Sequence, residues 1–335
     1  VKVKNINIFV TLGPSSLNKK FLNFVEGKAA LVRLNMSHVN LKKLGEKISF
    51  IKKNCTVPIC IDTEGAQIRT THTNKKYILR KNKYVFIGND NKNSNDKIIN
   101  LYPEINLKNL KRNTKIYIGF NNLCLEVTSK NNNVNRVKCK VLAGGYLESK
   151  KGVHINTNLI LPPLTKKDIF ALQIANKLKI KNYAISFVNN PSDIDKVRKI
   201  VGKKANIISK IETKNALKNL KGIASKSSAL LIDRGDLSRY IPIESIPAAQ
   251  EYIIKFSKKM KKPTYVATNL LETMIKENLP TRAESHDIYA TLHQGAQGLV
   301  LAAETAIGKS PINCVKFLKR CININKKKIF LNEKF

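Results

Sequence analysis

Lys210 and Glu212 stand two residues apart, and Arg33, Asn35 and Ser37 repeat that spacing. A β-strand sends alternate side chains to opposite faces, so each set presents its polar groups to one side. Other apolar runs also end on polar residues: Asp62-Thr63, Ser186, Arg234-Gly235-Asp236, Thr268 and Glu304. Glu212 and Asp236 are carboxylates suited to hold Mg²⁺ through one or two oxygens, leaving other positions to substrate and water. Arg33 and Lys210 supply the positive charge that a transferring phosphoryl group needs. The backbone N–H groups of Arg234–Asp236, at a short helix start, suit a carboxylate or phosphate. Together these residues point to metal-assisted work on an anion. The plain structural alternative for Lys210 and Glu212 is a buried ion pair.

Such groups need a scaffold that gathers strand ends. The sequence predicts strands at Asn7–Thr11, Ala30–Leu34, Ile59–Asp62, Tyr183–Phe187, Ile207–Ile211, Ala229–Ile232, Thr264–Ala267 and Gly298–Leu301. Amphipathic helical patterns are expected between them, at Leu41–Lys53, Thr165–Lys179, Ser192–Lys203, Asn215–Ser225, Ala248–Lys261, Arg282–Gln294 and Ile312–Lys326. Thr165 with Asp168 has the shape of a helix cap. Eight strands with intervening helices predict an α/β fold, a closed (β/α)8 TIM barrel with its chemistry at the strand ends. Residues 72–156 break the rhythm with short alternating strands and polar turns, as in YVFIGND and KIYIGF. They read as an all-β domain inserted after the third strand, roughly 80 residues and so the size of a small domain. The barrel is expected over 1–71 and 157–335, with the insertion placed to act as a lid.

The 335 residues carry 61 Lys+Arg against 23 Asp+Glu, a formal net charge of +38. Such a field attracts nucleic acid, anionic lipid or anionic metabolites. The lysines are scattered among Asn and Ile with no recognition motif beside them, so no nucleic-acid partner is expected. The six cysteines show neither CxxC nor paired metal spacing. The opening VKVKNINIFV alternates polar with apolar and lacks a signal-peptide core. No apolar run approaches the roughly 18 residues of a membrane span. A soluble cytoplasmic protein without a membrane partner is expected. Only His38 of the five histidines falls near the polar cluster, and no GxGxxG, P-loop or nucleophile elbow is present.

The motifs resemble the pyruvate kinase family along nearly the whole chain. The matching stretches are TLGPSS (Thr11–Ser16), VRLNMSH (Val32–His38), DTEGAQIRT (Asp62–Thr70), SKKGV (Ser149–Val153), SFV (Ser186–Val188), ISKIET (Ile208–Thr213), RGDL (Arg234–Leu237), ATNLLETMI (Ala267–Ile275), PTRAE (Pro280–Glu284) and AAETAIGKSP (Ala302–Pro311). They run in the family's order, with the insertion in its place. The resemblance implies transfer of the phosphoryl group of phosphoenolpyruvate to ADP, giving pyruvate and ATP. It implies that Glu212 and Asp236 bind Mg²⁺ or Mn²⁺ and that Arg33 and Lys210 stabilise the moving phosphoryl group. Thr268 corresponds to the threonine near the protonated carbon, and the backbone around Gly235 and Asp236 to the seat of the substrate carboxylate. Asn35, Ser37, Asp62 and Thr63 correspond to a K⁺ site; Asn35, His38, Arg69 and Lys151 are the expected nucleotide contacts.

The departures from the family pattern are also informative. Gln67 stands where potassium-dependent members carry Glu and potassium-independent ones usually carry Lys, which leaves both modes open. Glu64 and Ala66 replace the family's Lys and Pro, Gly119-Phe120-Asn121 replaces an acidic pair before Gly, and AAET stands for SGET. Asp233 replaces a small residue before RGD, an added carboxylate beside the metal residues. The sequence ends after the eighth helix, so the family's C-terminal domain, with its usual allosteric site, is expected to be missing; pairing through barrel surfaces leaves a homodimer conceivable. The competing readings are a relative that binds anions without turnover and, on charge alone, an RNA-associated barrel.

Overall fold

The computed structural model describes residues 6–65, 67–90, 92–119, 123–131, 136–157 and 161–327. Ala66, Phe120 and Asn121, named above, lie outside the described residues. The chain divides into two compact units, Val1–Gly65 with Lys166–Phe335, and Ala66–Thr165.

In the first unit eight strands close a parallel barrel: β1 (Asn7–Thr11), β2 (Leu31–Asn35), β3 (Ile59–Asp62), β4 (Asn182–Ile185), β5 (Asn206–Ile211), β6 (Ala229–Asp233), β7 (Thr264–Ala267) and β8 (Gly298–Leu301). Each strand pairs with its sequence neighbours, and β1 pairs with β8 to complete the ring. Strand β4 ends at Ile185, so Ser186 and Phe187, expected within it, follow it instead. The interior is filled by one parity of each strand. Phe9, Leu31, Cys60, Ala184, Ile208, Leu231, Tyr265 and Val300 form a buried cluster, in which the Phe9 and Tyr265 ring centroids lie 4.5 Å apart. Stepping two residues further along the same faces reaches Thr11, Arg33, Asp62, Ser186, Lys210 and Asp233, all buried. Apolar side chains thus plug the barrel below a layer of polar ones, as the period of two requires.

Helices join the strands. Lys166–Lys177, Pro191–Val201, Ile246–Lys259, Arg282–Gln294 and Pro311–Lys327 match predicted segments. The segment predicted at Asn215–Ser225 is two helices, Lys214–Lys218 and Leu220–Lys226, broken at Asn219. The Asn219 amide donates to the Asn189 carbonyl at 2.8 Å and to Asn190 Oδ1 at 3.0 Å, which holds the break. A helix at Lys19–Val25 went unpredicted; seven residues are too few for a 3.6-residue period to register, and its visible signal is the Asn18 cap. Asp168, read from sequence as part of a cap, is buried and accepts the Glu64 N–H at 2.8 Å and the Gly65 N–H at 3.1 Å, tying the segment after β3. No helix among the described residues is long and apolar enough to cross a membrane, and none of the six cysteines is paired.

The second unit is all-β: a seven-stranded sheet, mostly antiparallel, and a two-stranded sheet. Its core is its own, including Leu79, Val85, Ile99, Leu125, Val137 and Val153. Ile68 belongs to that core, and Arg69 and Thr70 pair with Tyr102 and Leu101. The unit therefore starts ahead of residue 72, where the sequence pattern alone set the boundary.

Candidate active site

Lys210 lies at the centre of the polar layer. Its Nζ is 2.9 Å from Glu212 Oε1, 3.2 Å from Asp233 Oδ2 and 3.6 Å from Asp62 Oδ1, and it donates to Ser186 Oγ at 3.0 Å. Arg33 sits beside it, with Nη1 3.2 Å from Asp62 Oδ2 and Nε donating to Thr11 Oγ1 at 3.0 Å. Lys210 is 5% exposed, Arg33 4%, Asp233 6%, and Asp62 and Glu212 0%, so this network is shielded from water. Ion pairs in such surroundings act at low effective dielectric and are stronger than at a surface.

Electrostatics divides the cluster. Burial works against the Lys210 ammonium, but Asp62, Glu212 and Asp233 raise its pKa well above the usual lysine value, so it is a fixed cation. Glu212 is pushed up to about 8, first by burial and then by the charges of Asp236 and Asp233, against the pull of Lys210. Asp233 is held below the ordinary carboxylate range despite burial, because Lys210 and Arg33 face it. Too many carboxylates crowd one another, and Glu212 carries the strain. A bound cation relieves that condition.

The donor set fits a divalent cation. Ligand oxygens of Glu212, Asp233 and Asp236 lie within 4.8 Å of one another. Mg²⁺ at about 2.1 Å from each oxygen spans trans ligands about 4.2 Å apart, so small side-chain movements suffice. Asp236 rides on the short helix Arg234–Leu237, which Asp233 caps through Oδ1, accepting the Asp236 N–H at 3.4 Å. Arg239 Nη1 lies 3.5 Å from Asp236 Oδ1.

Thr268 closes another side of the site. It has φ +71°, a conformation rare for a β-branched residue. Two groups hold it there: its carbonyl accepts Arg234 Nη2 at 2.6 Å and Nε at 3.1 Å, and its Oγ1 accepts the Gly235 N–H at 2.9 Å. Arg234 is braced in turn by Asp287 at 2.8 Å. Strain of this kind persists only where neighbours over-determine it.

The proposed K⁺ ligands come from the ends of two adjacent strands. Asn35 and Asp62 are register partners. Asn35 Oδ1 accepts the Ser37 N–H at 2.9 Å, and Thr63 Oγ1 accepts the Ser186 N–H at 2.9 Å. His38 is exposed just beyond, its N–H donating to the Asn35 carbonyl at 3.1 Å. Arg69 and Lys151 belong to the inserted unit, where Arg69 Nη1 donates to the Lys150 carbonyl at 3.1 Å and Lys151 Nζ lies 3.1 Å from Glu148. Glu304, one of the polar strand-end residues, is turned to structure: its carboxylate takes the N–H groups of Ala302 at 2.7 Å and Leu271 at 3.2 Å. Thr11 and Arg239 were not singled out from sequence. Thr11 carried a signal, since it ends the first strand in the same parity as Arg33 and Lys210; Arg239 carried none.

Comparison with known proteins gives one consistent result. The family model for the pyruvate kinase barrel domain matches residues 3–315. A pyruvate kinase of Thermotoga maritima is 32% identical over 98% of this chain and 72% of its own length. Pyruvate kinases of Methanocaldococcus jannaschii and Methylorubrum extorquens are 32% and 31% identical, over 96% and 95% of this chain and 70% and 68% of theirs.

Proposed function

The chain belongs to the pyruvate kinase family, and from that premise we propose that it transfers the phosphoryl group of phosphoenolpyruvate to ADP, giving pyruvate and ATP. The observation that carries the reading is the buried Lys210–Glu212–Asp62–Arg33 network, with Asp233 and Asp236 beside it. In the reaction the bond from phosphorus to the enol oxygen breaks while a bond to a terminal oxygen of ADP forms. The enolate left behind takes a proton at its terminal carbon and becomes pyruvate.

Lys210 and Arg33 carry the electrostatic task. Both are fixed in place before substrate arrives, so no reorganisation is needed when charge spreads over the transferring group. Glu212 and Asp236 hold the divalent cation, Mg²⁺ or Mn²⁺, which when bound supplies Lewis-acid charge to anionic oxygens. The N–H groups of Gly235 and Asp236 suit the substrate carboxylate, exchanging Thr268 Oγ1 and Asp233 Oδ1 for its oxygens. Thr268, braced by Arg234, orients the carbon that receives the proton. Asn35, Ser37, Asp62 and Thr63 offer oxygens to K⁺; Asn35 and His38 serve the nucleotide. The cytoplasm is the compartment proposed for this reaction.

A coupled assay of pyruvate formation tests the proposal. Turnover is expected with phosphoenolpyruvate, ADP and Mg²⁺ together, with loss on chelation and recovery on adding Mn²⁺. Folded protein that binds phosphoenolpyruvate and metal yet forms no product, in potassium and in sodium buffers, would establish the non-catalytic relative instead.

A further inference from the structure

Three ion pairs at the barrel mouth balance: Arg33 with Asp62 at 3.2 Å, Lys210 with Glu212 at 2.9 Å, and Arg239 with Asp236 at 3.5 Å. Asp233 is the carboxylate left over. It shares Lys210, at 3.2 Å, with Glu212 and Asp62, so three carboxylates meet one ammonium. Asp233 is only 6% exposed, and a further carboxylate at that depth is costly unless a proton or a further cation offsets its charge.

The backbone leaves Asp233 no other place. Ala229, Leu231 and Asp233 alternate onto the barrel interior, and Leu231 is the register partner of Lys210. Asp233 also caps the helix that carries Asp236, so the two carboxylates are presented together. The ligand oxygens of Glu212, Asp233 and Asp236 lie within 4.8 Å of one another.

We infer that Asp233 is a third carboxylate ligand of the divalent cation, so that the substrate-free protein holds the ion more tightly than Glu212 and Asp236 alone would. The inference rests on the assignment of the divalent site to Glu212 and Asp236. Ligand charge count sets the affinity of carboxylate sites for hard cations. Asp233 therefore raises affinity for the bare ion, and it also uses part of the positive charge of Lys210 that an incoming anion would otherwise meet.

Titration of the intact chain with Mn²⁺ alone, with the free ion followed by electron paramagnetic resonance, tests this. Asp233→Asn keeps the side-chain volume and one oxygen for the helix cap, removes the charge and replaces the other acceptor oxygen with an amide donor. It is expected to weaken Mn²⁺ binding on the order of tenfold or more, and Glu212→Gln to weaken it as well. Unchanged affinity in Asp233→Asn overturns the inference while leaving the site assignment standing. Failure of the unsubstituted protein to bind Mn²⁺ overturns both. Should Asp233→Asn not fold, a crystal structure of the unsubstituted protein with Mn²⁺ decides. An Asp233 oxygen on the ion is the expected result; Asp233 still on Lys210, with only Glu212 and Asp236 on the ion, refutes it.

Discussion

At the residue scale, Lys210 has two tasks, charge for the proposed phosphoryl transfer and cohesion of the buried site. Asp62, Glu212 and Asp233 all depend on its ammonium. Lys210→Met leaves those buried carboxylates with Arg33 alone, and unfolding measurements should record a loss of about 3–5 kcal/mol. A bound divalent cation should return part of that loss, because it supplies positive charge to the same oxygens. Most of these residues were legible in the sequence because they keep one parity beyond the apolar run of each strand. Asp233 was legible as a departure from the family pattern; its contact with Lys210 was not, since it depends on the register in which β6 pairs with β5. Arg239 was illegible for a different reason: it pairs with Asp236 three residues back on a helix of one turn, a spacing common on any surface.

At the element scale, the segment after β3 illustrates how backbone shape supports the chemistry. Gly65 has φ +70°, and a Cβ there would lie 2.7 Å from the Phe187 ring and 2.8 Å from Ser186 Cβ. Those neighbours are functional supports, because Ser186 Oγ accepts from Lys210 and the Phe187 N–H donates to Glu212. Gly65→Ala should therefore destabilise the fold by more than the ~1 kcal/mol of a turn substitution and also weaken divalent-ion binding, which thermal melts with and without Mn²⁺ can separate. A second device is the capping box of the helix Arg282–Gln294, where Thr281 Oγ1 accepts the Glu284 N–H at 3.1 Å and Glu284 accepts the Thr281 N–H at 2.7 Å. Glu284 is held below the usual carboxylate range: partial burial opposes this, but the N–H groups and hydroxyls of Thr273 and Thr281 outweigh it. Its contribution is then full above the unfolded glutamate value and fades as pH falls through the lower folded one. Thr281→Ala should cost about 1 kcal/mol at neutral pH, and Glu284→Gln should flatten the acid limb of the stability profile. Strand parity and the longer helices could be read from hydrophobic periodicity. The short elements could not, since Lys19–Val25 and Ala303–Ala306 are too brief for periodicity and owe their form to caps and tertiary contacts.

At the scale of the whole molecule, the alternation of strands and helices was enough to predict the barrel, and the loss of helical pattern was enough to predict the inserted domain. The seam between the units was harder to read. Ile68–Thr70 continues directly from the site motif in sequence yet packs with the inserted sheet, a choice made by pairing partners more than thirty residues away. The net charge of +38 comes from lysines scattered along the sequence. If it serves only as a general field, binding to a generic polyanion should be weak and fall steeply with salt, while phosphoenolpyruvate binding should fall less, because the groups proposed to meet it are buried. Divalent-ion binding should also report on the whole barrel. At a concentration one hundred times its dissociation constant, the ion should stabilise the fold by about 2.7 kcal/mol.

The buried lysine at the barrel mouth, Lys210, is proposed to serve phosphoryl transfer from phosphoenolpyruvate to ADP. Phosphorus NMR of the intact protein with both substrates and Mg²⁺ observes the transferred group itself. ATP resonances are expected to grow as the phosphoenolpyruvate signal falls, and folded Lys210→Met is expected to slow that exchange on the order of 1,000-fold or more. Absence of ATP with the unsubstituted protein, or transfer by Lys210→Met at an undiminished rate, would contradict it.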